Sequence, residues 1–165
     1  MRFLDTKGAL YLRNLVFGVE DGIVSTVGLL SGIAIAGVPR PTIFLTGIVL
    51  IFVEAVSMAA GSFLSEASVD EVSGMHDTPR QSLSAGVIMF ASYFVAGFIP
   101  LLPYVLLLDV GYALPVSIAA AFCTLFLLGY WSGRNSHAAW RKALRMVLVG
   151  GTAILVGTFA GSIVA

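Results

Sequence analysis

Charge is what this sequence has least of. Only 11% of its 165 residues are Asp, Glu, Lys or Arg, whereas 58% are hydrophobic, and the mean hydropathy is +0.98. A soluble surface needs more charge than that, so a soluble domain is excluded. Acidic and basic residues balance at nine each, which argues against a nucleic-acid partner. Cysteine is nearly missing: Cys123 stands alone, which excludes an internal disulfide and a cysteine-based metal cluster. Met1-Arg-Phe-Leu-Asp-Thr-Lys7 lacks the short apolar core and small-residue cleavage site of a signal peptide, so the first span is expected to remain in the mature protein. No nucleophile, base and orienter stand together and no glycine-rich phosphate loop is present, so an enzyme is not expected.

What is there is apolar sequence in five runs. The spacing predicts an all-α integral membrane protein, one transmembrane domain over 1–165, with spans near 12–38, 42–66, 83–105, 112–132 and 142–165. Pro39 and Pro41 mark a tight turn, Pro100 and Pro103 are expected to end or kink the third span, and Asp109, Gly111 and Pro115 mark the next turn. Residues 67–82 read as a short cytoplasmic loop. With the N-terminus in the cytoplasm and the C-terminus outside, Arg2, Lys7, Arg13, Arg80, Arg134, Arg141, Lys142 and Arg145 lie inside and only Arg40 outside. Tyr11, Tyr104, Trp131 and Trp140 sit near span ends as expected aromatic anchors. The basic joint Ser132–Arg145 suits orientation and lipid headgroups; His137 within it reads as solvated.

Against this background Glu20, Asp21 and Glu54 stand out. Counted from Arg13 and Glu66 as cytoplasmic rims, Asp21 lies about 12 Å deep, Met58 about 12 Å and Glu54 about 18 Å, near the middle of a core about 30 Å thick. The short first turn makes spans one and two antiparallel neighbours, and Glu54 and Met58, four apart, share a face. No Lys, Arg or His lies inside the apolar stretches themselves, 15–38, 42–64, 83–108, the fourth up to Trp131, and 146–165, and every basic side chain is near a rim. A central charge costs about 3 kcal/mol, so the carboxyls either hold protons or hold a cation between them, and a site alternating between the two is a proton-coupled carrier. Met58 is either core filler or a soft ligand; as a ligand it favours Fe²⁺, Mn²⁺, Co²⁺ or Zn²⁺ over Na⁺, Mg²⁺ or Ca²⁺.

Glu66, Asp70, Glu71, His76 and Asp77 form either a cytoplasmic cation-collecting patch or, the preferred reading, a solvated segment; Glu66 and Asp70 share a face if the second helix continues. Gly18 and Gly22, Gly28 and Gly32, and Gly157 and Gly161 are each four apart, the spacing that lets helices approach closely in lipid. On the first span one face carries Asp21, Ser25, Gly28 and Gly32; close approach there brings the acid to another helix, with a second copy of the chain as one option. Ordinary intramolecular packing is the preferred reading for the fifth span.

Tyr11-Leu-Arg-Asn-Leu-Val-Phe-Gly-Val-Glu-Asp-Gly-Ile-Val-Ser-Thr-Val-Gly-Leu-Leu-Ser-Gly32 resembles the first helix of the vacuolar iron transporter (CCC1-like) family. Glu54-Ala-Val-Ser-Met-Ala-Ala-Gly-Ser-Phe-Leu-Ser65 resembles its second, and Arg145-Met-Val-Leu-Val-Gly-Gly151 the start of its fifth. The resemblance implies a homodimer in the lipid bilayer, with a metal path at its interface lined by Asp21 and Met58, and export of Fe²⁺ or Mn²⁺ from the cytoplasm against protons. No permanently bound cofactor is implied. The membrane is the plasma membrane in a prokaryote and a vacuolar or other intracellular one in a eukaryote. Glu54 fits by depth more than by motif. Ser62 stands where many relatives have an acid, Glu20 is an additional charge, and the segment after span two is too short for the metal-binding insert of some relatives. A passive cation channel, or a membrane scaffold whose acids are protonated, are the competing readings.

Overall fold

The computed structural model describes residues 6–73, 79–134 and 138–165. Arg2, His76, Asp77 and His137 lie outside the described residues. Among the described residues five helices follow one another: α1 Thr6–Ile35, α2 Arg40–Ser73, α3 Pro79–Leu106, α4 Val110–Gly133 and α5 Ala139–Val164. All five are long and apolar enough to cross a membrane, and the chain is an all-α, multi-pass membrane protein.

The helix ends depart from the sequence expectation in three places, at the end of α1, the end of α2 and the start of α4, each for a local reason. α1 stops at Ile35, three residues early. Gly37 turns left-handed at φ 75°; its N–H bonds to the Ala34 carbonyl and that of Val38 to Ile33, a glycine-closed helix end. α2 runs on to Ser73, so the first part of the expected loop 67–82 is helix. Polar residues there mark the exit from the membrane, and nothing in Ser65–Ser73 breaks a helix. α3 carries both Pro100 and Pro103 inside it and ends at Leu106, one residue past the expected span. The prolines withhold the usual ladder donors from the Ala96 and Ile99 carbonyls, while the Pro100 carbonyl accepts the buried Ser117 hydroxyl of α4 at 2.6 Å, which ties the two helices together at that level. Gly111 and Pro115 lie inside α4, which begins after Asp109; the Asp109 carboxylate accepts the Gly111 N–H at 2.7 Å as its N-cap.

α1 is the central element. It packs most extensively on α3 and then α5, and much less on α2, which lies chiefly against α3. Glycine explains how closely. A Cβ on Gly22 would lie 2.6 Å from the Tyr93 carbonyl oxygen of α3, and one on Gly32 2.5 Å from the Gly157 carbonyl oxygen of α5. Neither leaves room for a side chain. One core cluster joins Ile23, Val27, Ala96, Ala121, Leu125 and Ile154; the other joins Leu30, Ile43, Ile51, Leu101, Tyr104 and Ala113. Tyr104 is fully buried, so it is a core residue and not the interfacial anchor expected from its position. At its own helix end Arg40 donates from Nε to the Tyr104 carbonyl at 2.7 Å and from Nη2 to Val105 at 2.6 Å. It thereby satisfies the last carbonyls of α3 with a charge of favourable sign.

Candidate functional site

α1 and α2 run antiparallel, and side-chain contacts fix their register level by level. Arg13 of α1 forms an ion pair with Glu66 of α2, so the two residues placed at one rim by sequence stand at one level. Next along is Asn14, 2% exposed, which accepts a hydrogen bond from the Ser62 hydroxyl at 2.7 Å and donates from Nδ2 to the Leu10 carbonyl at 3.0 Å. Beyond these contacts the helices part around a cleft of about 700 Å³, lined by Phe17, Ser57, Met58, Gly61 and Met89 below the Arg13–Glu66 pair. Deeper again are Asp21 and Glu54, close enough for their charges to interact.

Both carboxylates are half-buried. Among the described residues neither makes an ion pair or a hydrogen bond through its side chain. Ser25, one turn from Asp21, donates to the Asp21 carbonyl at 2.7 Å, and its oxygen lies 2.6 Å from the Tyr93 hydroxyl. Tyr93 is fully buried on α3 and lies within electrostatic reach of both Asp21 and Glu54. Sequence reading missed it. Its only signal was a polar pair, Ser92-Tyr93, in the middle of the third apolar run.

Other candidates lie elsewhere. Glu20 is half-buried on another side of α1, in a groove with Arg141, Lys142 and Arg145 of α5, and Lys142 is close enough to attract it. Consecutive residues on a helix point about 100° apart, so Glu20 is turned from Glu54 and Met58. The expectation that no base reaches these acids therefore fails for Glu20, because α5 begins just where its lysine can dip toward it. Glu66 is engaged by Arg13. Asp70 accepts the Ser82 hydroxyl of α3 at 3.3 Å and so ties the end of α2 to the bundle, while Glu71 is exposed. Gly28 and Gly32 are buried against Ala153 and Gly157 of α5. Their small face is filled from within the chain, so it is not open to a second copy; Ser25 beside them faces Tyr93.

Among the described residues no three His, Cys, Asp or Glu side chains converge to hold a metal. One chain supplies two carboxylates, with the Met58 thioether one turn from Glu54 toward the Arg13 end. Two oxygen acids without a resident cation, in a low-dielectric setting, suit either two protons or one divalent ion.

The VIT family model matches residues 12–76 and 66–162. The chain is 29% identical over 165 residues to "Vacuolar iron transporter homolog 4" of Arabidopsis thaliana, covering 93% of this chain and 83% of that protein. It is 37% identical over 83 residues to "Vacuolar iron transporter cccA" of Arthroderma benhamiae, covering 45% and 30%. It is 34% identical over 86 residues to "Protein CCC1" of Saccharomyces cerevisiae, covering 47% and 27%.

Proposed function

Because this chain belongs to the VIT family, whose members are transporters and not enzymes, we propose that it exports a divalent transition metal from the cytoplasm in exchange for protons. Fe²⁺ and Mn²⁺ are the leading substrates, and Co²⁺ and Zn²⁺ suit the same donors. The N-terminus is cytoplasmic, by the eight-to-one distribution of basic residues. The functional unit is a homodimer meeting along the α1/α2 side, so that each copy contributes Asp21, Glu54 and Met58. Support comes from α2, which leaves Phe52, Val53, Val56, Phe63 and Leu64 uncovered in one protomer, with the small residues Ser57, Ala60 and Gly61 among them.

The Asp21–Glu54 pair, deep in the membrane without a cation of its own, carries the reading. Leaving both ionised and empty costs about 3 kcal/mol each. Two protons or one divalent ion remove that cost, so loading one expels the other, and exchange follows from charge neutrality. Metal enters past Asn14 and Met58 from the Arg13–Glu66 end. Proteoliposomes test this. With an acidic lumen, Fe²⁺ and Mn²⁺ uptake is expected to accelerate, to slow when a protonophore collapses the gradient, and to vanish in Asp21→Ala. Flux indifferent to the gradient indicates a channel; metal uptake unchanged in Asp21→Ala removes the site.

A further inference from the structure

The basic first turns of α5 have no part in that proposed path, and the structure gives them a definite shape. Arg141, Lys142 and Arg145 line one end of a groove between α1 and α5 of about 450 Å³. Among the described residues none of the three makes an ion pair or a hydrogen bond through its side chain. The one acid in the groove, Glu20, lies nearest Lys142, which leaves the two guanidinium groups uncompensated. From there the groove floor turns apolar at Met146 and Val149. Val149 also lines a second furrow, about 460 Å³, that continues between the same two helices past Val24, Ala153 and Val156, with Asp21, Ser25 and Thr152 as its polar members. It closes where Gly32 meets Gly157 backbone to backbone. From Arg141 to Val156 the rise is about 22 Å. A cationic head end thus opens into a furrow lined mainly by apolar side chains and running along the membrane normal, with Asp21 among its lining.

We propose that this α1/α5 groove is a binding site for an anionic phospholipid, its phosphate held by Arg141 and Arg145 and one acyl chain laid in the furrow over Val149 and Val156. Charge complementarity selects the head. Basic pockets between membrane helices bind anionic headgroups, and arginine's planar fork suits phosphate oxygens. Continuity of the furrow selects a lipid over a soluble phosphate, because a free ion has no use for the apolar extension. The furrow adjoins the proposed transport acid Asp21, but the lipid assignment rests on the arginines and the apolar lining and not on the transport reading.

Acyl-chain spin-labelled phosphatidylglycerol and phosphatidylcholine, added to the purified full-length protein in maltoside micelles, test it. The immobilised fraction should favour phosphatidylglycerol by about fivefold or more. R141Q/R145Q should bring the two lipids to parity. V149W, which obstructs the furrow and leaves every charge in place, should lower retention of both lipids while keeping the headgroup preference. Equal retention of both lipids by the unmodified protein overturns the proposal, as does an unchanged preference in R141Q/R145Q. Full displacement of the label by excess glycerol phosphate, with V149W silent, assigns the cations to a soluble phosphate and also overturns it. Should R141Q/R145Q fail to fold, the lipid comparison in the unmodified protein and in V149W still decides.

Discussion

Substituting alanine along the α1/α5 seam should destabilise the protein in an order set by distance. Ordinary contact for a methyl carbon begins near 3.4 Å. On Gly32 the added carbon would stand 2.5 Å from the Gly157 carbonyl oxygen, about 0.9 Å too close, and the obstacle is backbone. On Gly28 the nearest atom is the Ala153 carbonyl oxygen at 3.3 Å; on Gly151, which faces α4 and serves as the comparison off the seam, it is a Phe122 ring carbon at 3.7 Å. To admit the Gly32 methyl the helices must separate by most of an ångström. A gap of that size forfeits a quarter to a half of each van der Waals contact along the seam. Overpacking of this kind costs about 1–3 kcal/mol, against a helix-propensity gain of up to about 1 kcal/mol for replacing glycine. Gly32→Ala should therefore cost about 1–2 kcal/mol, Gly28→Ala close to nothing, and Gly151→Ala should stabilise by up to about 1 kcal/mol. Thermal unfolding in micelles, followed by the fluorescence of Trp131 and Trp140, reads this as a midpoint lowered by about 2–8 °C for Gly32→Ala. Equal midpoints for Gly32→Ala and Gly151→Ala would refute the proposition that backbone contact, and not helix propensity, governs these glycines.

Three further outcomes follow from separate contacts. Arg40→Ala removes two charged hydrogen bonds from the end of α3 and should cost about 1–3 kcal/mol, with Arg40→Lys recovering part; an unchanged unfolding midpoint in Arg40→Ala argues against a capping role. Arg13→Ala should change stability by less than about 1 kcal/mol, since the guanidinium side chain is 66% exposed. The same change should lower the apparent KM for metal uptake by freeing Glu66 at the cleft mouth, and an unaltered KM counts against it. Gly61→Ala meets nothing within 4 Å in one protomer, so an isolated chain should gain about 0.5–1 kcal/mol; if α2 lies at the dimer interface, crosslinking should instead show fewer dimers, and an undiminished dimer places the interface elsewhere.

The five spans and the relative level of Arg13 and Glu66 were legible in the sequence because a fixed rise per residue and one short turn are all they require. Where α2 ends was not. Hydropathy marks the point at which a helix leaves lipid, whereas the helix itself continues to Ser73. Pro100 and Pro103 left open whether the third span ends or kinks; α3 carries both and ends at Leu106, and the Ser117 hydroxyl that meets the Pro100 carbonyl comes from another helix. Glycine spacing announced close approach without naming the neighbour; Gly22 meets α3 and Gly32 meets α5, and only tertiary structure distributes them. The same holds for the acids. Asp21 and Glu54 could be placed together from two adjoining helices, but Tyr93 enters their surroundings from α3 and Lys142 reaches Glu20 from α5, both across long sequence separations that no local pattern encodes.

Glycines on two sides of α1 bring its backbone against two neighbours at once, and Asp21 rides on that same helix between them. At those two contacts there is no slack: widening either by a methyl group would shift the acid sideways as well as loosen the bundle. Thermal tolerance and ion handling are thus drawn from a single element, and variants selected for one should be found to have moved the other. α2, held mainly by α3 and only lightly by α1, is the partner with freedom to adjust.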